Sequence, residues 1–254
     1  MNKFGVLILA TVLLMLGGCA SRPAANEQAQ QYQDPKDPFE SFNRTMWDFN
    51  YDILDEYILR PTTVAYVDYM PQIARSGLLN IAENLEEPSN SLNNLLQGKL
   101  DGTFISLGRF LLNSTVGLLG LIDVASEIGL ESKEEEFGEV LGKWGVGTGP
   151  YLMVPTLGPT DVRSSVGDLV DLSYSPLDGL NFYLGFLRLG IIALEDRASL
   201  IQQEQQLNAS ADPYAFVKSA YFQNLEFKVK DGKVEKSEEE AALEDDIDAF
   251  LDDF

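Results

Sequence analysis

Of the 254 residues only one is a cysteine, and its position constrains how the rest can fold. Cys19 ends the stretch MNKFGVLILATVLLMLGGC, in which a charged start precedes an apolar run from Phe4 to Leu16. That order is the order of an export signal, and the run is too short to serve as a spanning helix. The closing LGGC has the form of the bacterial lipobox, where the signal is cut before the cysteine and the thiol receives diacylglycerol. Residues 1–18 therefore read as a lipoprotein signal peptide and Cys19 as the lipidation site. The fold must form without an internal disulfide, in a compartment that would permit one, and beside a bilayer. The acyl chains expected on such a cysteine exceed the two-signal requirement for stable anchoring. Alanine rather than aspartate follows Cys19, which points to an address in the outer membrane.

Beyond the anchor, residues 19–36 are polar and read as a tether. The folded part is expected over 37–230. In DPFE, Asp37 suits an N-cap, Pro38 the first helical position and Glu40 a capping box. Phe39, Phe42, Met46, Trp47, Phe49, Asn50, Ile53, Leu54 and Tyr57 then give an aromatic face on a helix that Pro61 is expected to stop. Pro71, Pro88 and Pro213 each precede further helix-period segments, with Asp212 as the cap of the last. Sustained period-two alternation is lacking, and YLMV reads equally well as a connector. The fold class is all-α.

Charge narrows the function. Forty acidic residues face 18 basic ones, so a nucleic-acid partner is disfavoured by the balance. From Asp231 to Phe254 the chain holds 11 acids and two lysines, a disordered, solvated acidic tail with one apolar stripe of Leu243, Ile247, Phe250, Leu251 and Phe254 that suits folding on a partner. Without histidine there is no Ser-His or Cys-His pair. The acidic groups Glu86–Glu87 and Glu134–Glu136 sit in polar context and read as solvated. No catalytic set, metal site or cofactor site is expected.

The stretch GKWGVGTGPYLMVPTLGPT, Gly142–Thr160, invites a phosphate-binding reading. Gly145, Gly147 and Gly149 give G-x-G-x-G, followed by Pro150 rather than a helix, and Lys143 precedes them, so neither the dinucleotide fingerprint nor the P-loop fits. Alternating glycine and proline instead specify a tightly turned, extended backbone, with Trp144 and Tyr151 suited to an interface. Two further segments are unusually apolar, Phe104–Ile122 and Leu180–Leu194. The second, 15 residues long, reaches about 22 Å against ~30 Å of hydrocarbon. The first carries Arg109 and Asn113, and an arginine at the centre of a spanning helix costs ~2.5–3.5 kcal/mol. Either these are core helices of a soluble bundle, or the anchor lets them lie in the membrane interface.

Four segments taken together, DPFESFNRTMWDFN (37–50), NLEEPSNSLNNLLQGK (84–99), GRFLLNSTVGLLGLID (108–123) and FGEVLGKWGVGTGPYLMVPTLGPTDVR (137–163), resemble the MlaA (VacJ) outer-membrane lipoproteins, in order and over 37–225. The resemblance implies a compact, ring-like helical domain in the periplasmic leaflet of the outer membrane, with interfacial helices and a central polar channel. Through it, phospholipids mislocalised to the outer leaflet would pass to an MlaC-like periplasmic lipid carrier, with trimeric porins of the OmpC/OmpF kind supporting the ring and no bond made or broken. The family motif would place Asn43 and Arg44 on the first helix, and Trp144, Gly145, Gly147, Gly149, Pro150, Tyr151, Pro155, Gly158, Pro159 and Arg163 in a signature loop, as structural or channel residues. The competing readings are a structural or porin-associated lipoprotein that moves no lipid, a periplasmic small-molecule binding domain and, furthest, a phospholipase.

Overall fold

A computed structural model describes residues 34–174 and 182–233. Cys19, the tether up to residue 33 and the acidic stripe of the tail lie outside the described residues. The first helix starts as α1 (Glu40–Asp48), passes into a π-helical segment (Phe49–Leu59) and continues as α2 (Arg60–Tyr69). Three sequence expectations change here. Asp37 is not a cap: it is buried, and its carboxylate accepts from Asn43 Nδ2 (2.7 Å), Tyr214 OH (2.5 Å) and Lys218 Nζ (3.0 Å). Glu40 turns to Arg44 at 2.8 Å instead of back to the chain. Nor does Pro61 end the helix. It follows a π-helical segment, where Arg60 N–H still bonds to the Asp55 carbonyl five residues back, and enters in the first turn of the renewed α-helix. A residue without an N–H is tolerated in a first turn.

Pro71 precedes α3 (Gln72–Asn84), and Pro88 lies in the first turn of α4 (Glu87–Leu96). Gln97–Lys99 link α4 to α5 (Leu100–Thr115), which packs along it. After the short α6 (Val124–Glu127), residues 131–136 have no regular structure, and asparagines of α4 satisfy their backbone. Asn94 Nδ2 donates to the Lys133 carbonyl (2.9 Å), Asn93 Nδ2 to that of Glu135 (2.9 Å), and Asn90 Oδ1 accepts from Glu135 N–H (3.3 Å). Next come α7 (Phe137–Lys143), β1 (Tyr151–Val154), β2 (Gly158–Asp161) and α8 (Val162–Tyr174). The helix α9 (Phe182–Leu200), a 3₁₀ turn (Ile201–Gln203), α10 (Glu204–Ala209) and α11 (Pro213–Val229) complete the described chain. Asp212 caps α11 as expected, its Oδ1 accepting from Ala215 N–H at 3.1 Å. Gly167 lets α8 approach α7 closely: a Cβ there would stand 2.3 Å from the Gly138 nitrogen.

YLMV, open between strand and connector in the sequence, is a strand. β1 and β2 pair antiparallel, Tyr151 opposite Asp161 and Val154 opposite Gly158. Four residues are too few for alternation to stand out in a sequence, yet Tyr151 and Met153 are buried while Leu152 and Val154 are half-buried.

The polarity of the interior is inverted. On α5, Gly102, Ser106, Arg109 and Asn113 recur at helical spacing and are buried, whereas Phe104 is 69% exposed and Leu107 and Leu111 face outward. The Arg109 guanidinium binds Glu87, Ser126 Oγ (2.9 Å) and Asp123 (3.1 Å), and Asn113 spans Asp123 (2.8 Å) and the Ala125 N–H (2.9 Å). Glu87, expected to be solvated, is 1% exposed because it holds this arginine. Phe39, Phe42, Ile53, Tyr57 and Ile58 of the first helix, and Phe186, Leu187 and Leu189 of α9, are exposed as well. Soluble folds do the reverse, and contiguous exposed apolar surface marks contact with a membrane or a partner. Among the described residues no helix is long and apolar enough to cross a membrane.

Candidate functional site

The site is organised around the small hairpin, whose outer edge would otherwise present unpaired backbone groups. Two asparagines on the first helix supply the missing strand. Asn43 Nδ2 donates to the Tyr151 carbonyl (3.0 Å) and its Oδ1 accepts from Met153 N–H (2.9 Å). One step further along, Asn50 Nδ2 donates to the Val154 carbonyl (2.9 Å) and Oδ1 accepts from Thr156 N–H (2.8 Å). Each primary amide thus imitates a peptide unit, and the hairpin is fixed to the helix by four hydrogen bonds. Beneath it lies the aromatic core: Tyr151 meets Tyr214 (6.2 Å), Tyr221 (5.8 Å) and Phe222 (5.8 Å) by ring centroids. Burial, and then the Asp37 carboxylate, push the Tyr151 phenol above its ordinary range, so it stays neutral.

The hairpin and the edge of this core border a cavity of about 810 Å³. Gly158, Pro159 and Thr160 of β2, Trp47 and Asp55 of the first helix, Ser164 and Asp168 of α8, Arg197 and Leu200 of α9, and Phe216, Leu225 and Lys228 of α11 line it. Its wall is divided in kind: the carboxylates Asp55, Glu136, Asp168 and Glu204 with Arg197 and Lys228 on one hand, and Trp47, Met153, Leu200, Leu207, Phe216, Val217 and Leu225 on the other. Its size is that of small-ligand sites, and such a wall accepts a molecule that is itself part charged and part apolar. Next to this wall, buried Asp161 accepts the N–H groups of Arg163 (2.8 Å) and Ser164 (3.2 Å) at the start of α8, and Tyr221 OH at 2.6 Å.

Asp168 is an exposed residue on the cavity wall, where partial desolvation and then the nearby Glu136 and Asp171 raise its carboxyl to about 6. Behind the wall Glu139 is pushed to about 8 by burial and by the carboxyl of Glu135, with Lys228 Nζ at 3.4 Å opposing the shift. Arg197 grips Asp55 with Nε (2.6 Å) and Nη2 (2.8 Å), and also binds Glu204. Glu204 takes a second guanidinium from Arg60 at 3.1 Å. Burial favours the neutral acid at Glu204, but the hydrogen bonds from Arg60 and Arg197 prevail and hold it below the usual carboxylate range.

The residues singled out in the sequence divide into three groups. Asn43 and Tyr151 hold the hairpin, and Gly158 and Pro159 line the cavity. Tyr151 is fully buried, not at an interface. Arg44 joins α1 to the cap of α11 through Asp212 (2.6 Å), with its guanidinium 4.4 Å from the Tyr214 ring centroid. Arg163 ties the loop down by donating to the Val146 carbonyl (3.0 Å). Gly149, with φ +72°, leads through Pro150 into β1, and Pro155 opens the turn. Trp144 is exposed at the end of α7, its indole N–H donating to the Leu96 carbonyl (3.3 Å), and a Cβ added at Gly145 or Gly147 would meet nothing within 4 Å. Asp55, Asp168, Arg197, Glu204 and Lys228 were missed. The available signal was an arginine directly after the apolar run of α9, in LEDR, where a purely interfacial helix would need none.

The profile of the MlaA lipoprotein family matches residues 35–228. The chain is 38% identical to the intermembrane phospholipid transport system lipoproteins MlaA of Shigella flexneri and of Escherichia coli K12, each over 96% of both chains. It is 37% identical to the Haemophilus influenzae protein of the same name, over 92% of this chain and 93% of that one. A structure solved in work on the structural basis for maintenance of bacterial outer membrane lipid asymmetry superposes with a TM-score of 0.72 at 43% identity, covering 76% of this chain and 98% of its own. On a match that runs through nearly all of the described chain, this chain belongs to the MlaA lipoprotein family.

Proposed function

We propose that this protein is an outer-membrane lipoprotein that maintains lipid asymmetry by removing phospholipids from the outer leaflet. In this reading acylated Cys19 holds it in the periplasmic leaflet, the exposed apolar faces of the first helix, α5 and α9 sit among acyl chains, and the ring of helices surrounds a polar passage. The headgroup crosses through the cavity while the tails stay near hydrocarbon, which spares a charged headgroup the desolvation of crossing apolar medium. A lipid carrier of the MlaC kind receives the lipid, and trimeric porins hold the ring in place. The step is transfer without bond cleavage. The observation that carries the reading is one chain with large apolar side chains outside, paired charged residues inside, and a cavity of about 810 Å³ whose mainly apolar wall also carries ionic side chains.

The experiment is surface exposure of phospholipid in cells lacking the gene, and in cells complemented with the intact chain. Exposure should rise on loss and return to normal on complementation. Unchanged exposure, in a strain with no second asymmetry system, sinks the transport reading in favour of a structural, porin-associated lipoprotein.

A further inference from the structure

A second cavity, of about 320 Å³, adjoins the first, and four residues line both: Tyr51, Asp55, Arg197 and Glu204. The wall they share is the ion network already described, in which the guanidinium of Arg197 holds Asp55 by a two-point fork and Glu204 beside it, with Arg60 on the far side of Glu204. The Arg197, Asp55 and Glu204 side chains are each no more than 20% exposed, so the charges are held in partial isolation from bulk water. Resting on the lipid-transport reading, we propose that this network selects the headgroup, admitting zwitterionic phosphoethanolamine lipids in preference to anionic phosphoglycerol lipids.

Charge conservation across the exchange carries the inference. A lipid phosphate presents the same paired oxygens as a carboxylate and can take over the fork of Arg197 without the guanidinium ever lacking an anion. Asp55, however, then loses its partner, and an unpaired carboxylate in such a place is strongly unfavourable. The ammonium of phosphoethanolamine brings three donors to that carboxylate and to Glu204. Phosphoglycerol brings hydroxyl donors but no cation, so the Asp55 carboxylate is left without a counter-charge, since Arg60 is committed to Glu204. The stacked rings of Trp47 and Tyr51, 5.0 Å apart and both on the wall of the larger cavity, add an aromatic surface that attracts an ammonium and not a glycerol.

The test presents the purified full-length lipoprotein, in detergent, with equimolar phosphatidylethanolamine and phosphatidylglycerol, and quantifies bound lipid by mass spectrometry. The wild type should enrich phosphatidylethanolamine about fivefold, equivalent to ~1 kcal/mol. Glu204→Gln leaves the Arg197–Asp55 fork intact and should lower that ratio; Asp55→Asn should bring it near one. Water-soluble glycerophosphoethanolamine should compete for the site, and glycerophosphoglycerol should not. A wild-type ratio near one, equal competition by the two soluble headgroups, or an unaltered ratio in folded Glu204→Gln overturns the selection. Capture of neither lipid by the wild type overturns instead the transport reading on which it rests.

Discussion

Asn43→Ala removes the joint between the first helix and the hairpin, and its effect can be worked from the contacts. The side chain is fully buried and makes three hydrogen bonds, to Asp37, the Tyr151 carbonyl and the Met153 N–H. Asp37 keeps Tyr214 and Lys218, so its loss is modest. The two backbone groups keep no side-chain partner on that edge, and a buried group left unsatisfied costs ~1–3 kcal/mol, giving about 2–6 kcal/mol in total. Asn50→Ala is the internal control: it also breaks two backbone bonds, but Asn50 is only half-buried and Thr156 is exposed, so water substitutes and the loss is about 1 kcal/mol. Denaturant unfolding of the detergent-solubilised protein, followed by circular dichroism, measures both. Equal losses in the two variants, or a loss under about 1 kcal/mol for Asn43→Ala, would show that the staple does not hold the hairpin.

Arg109→Ala strands Glu87 without its partner in the interior and should destabilise by about 3–5 kcal/mol, while the paired replacement Arg109→Met with Glu87→Gln should recover part of that; denaturant midpoints that match for the two would contradict the pairing. Glu139 is raised to about 8 in the fold, so the folded state binds more protons than the unfolded one between the ordinary carboxylate range and that value. Its contribution is complete in mild acid and is lost as pH rises towards 8, so thermal stability should fall from pH 5 to pH 8 and fall less in Glu139→Gln. Gly149→Ala forces an alanine to φ +72° with its Cβ 3.3 Å from Val162, and should cost about 1–2 kcal/mol. Gly147→Ala meets open space at ordinary φ and should be neutral or slightly stabilising, so within Gly142–Thr160 the thermal shift separates the glycine that the backbone needs from the one it does not.

Prolines, caps and helical periods are local, and they were legible: Asp212 before Pro213, Pro71 before α3 and Pro88 in the first turn of α4 all stand where the sequence puts them. The poor fit of Phe104–Ile122 to a spanning helix was legible too, because Arg109 interrupts any membrane pattern and Gly117 and Gly120 follow the last turn of α5. Where local rules failed, a distant partner prevailed. Asp37 has every attribute of a cap, and three donors, two of them from α11, claim it instead. YLMV carries too little pattern to announce a strand; it pairs with Gly158–Asp161, and an amide 108 residues earlier in the chain holds its other edge.

Composition and periodicity by themselves determined a helical chain and apolar segments too short or too polar to span a membrane. They could not decide which face of each helix points inward, because a stripe of phenylalanine and leucine is the same stripe whether it meets a core or a membrane. Only the tertiary structure turned those faces outward, and it did so by giving Asn43, Glu87, Arg109 and Arg197 partners inside. A buried charge is tolerable where its counter-charge is held in place, and that placement is a property of packing between segments far apart in sequence.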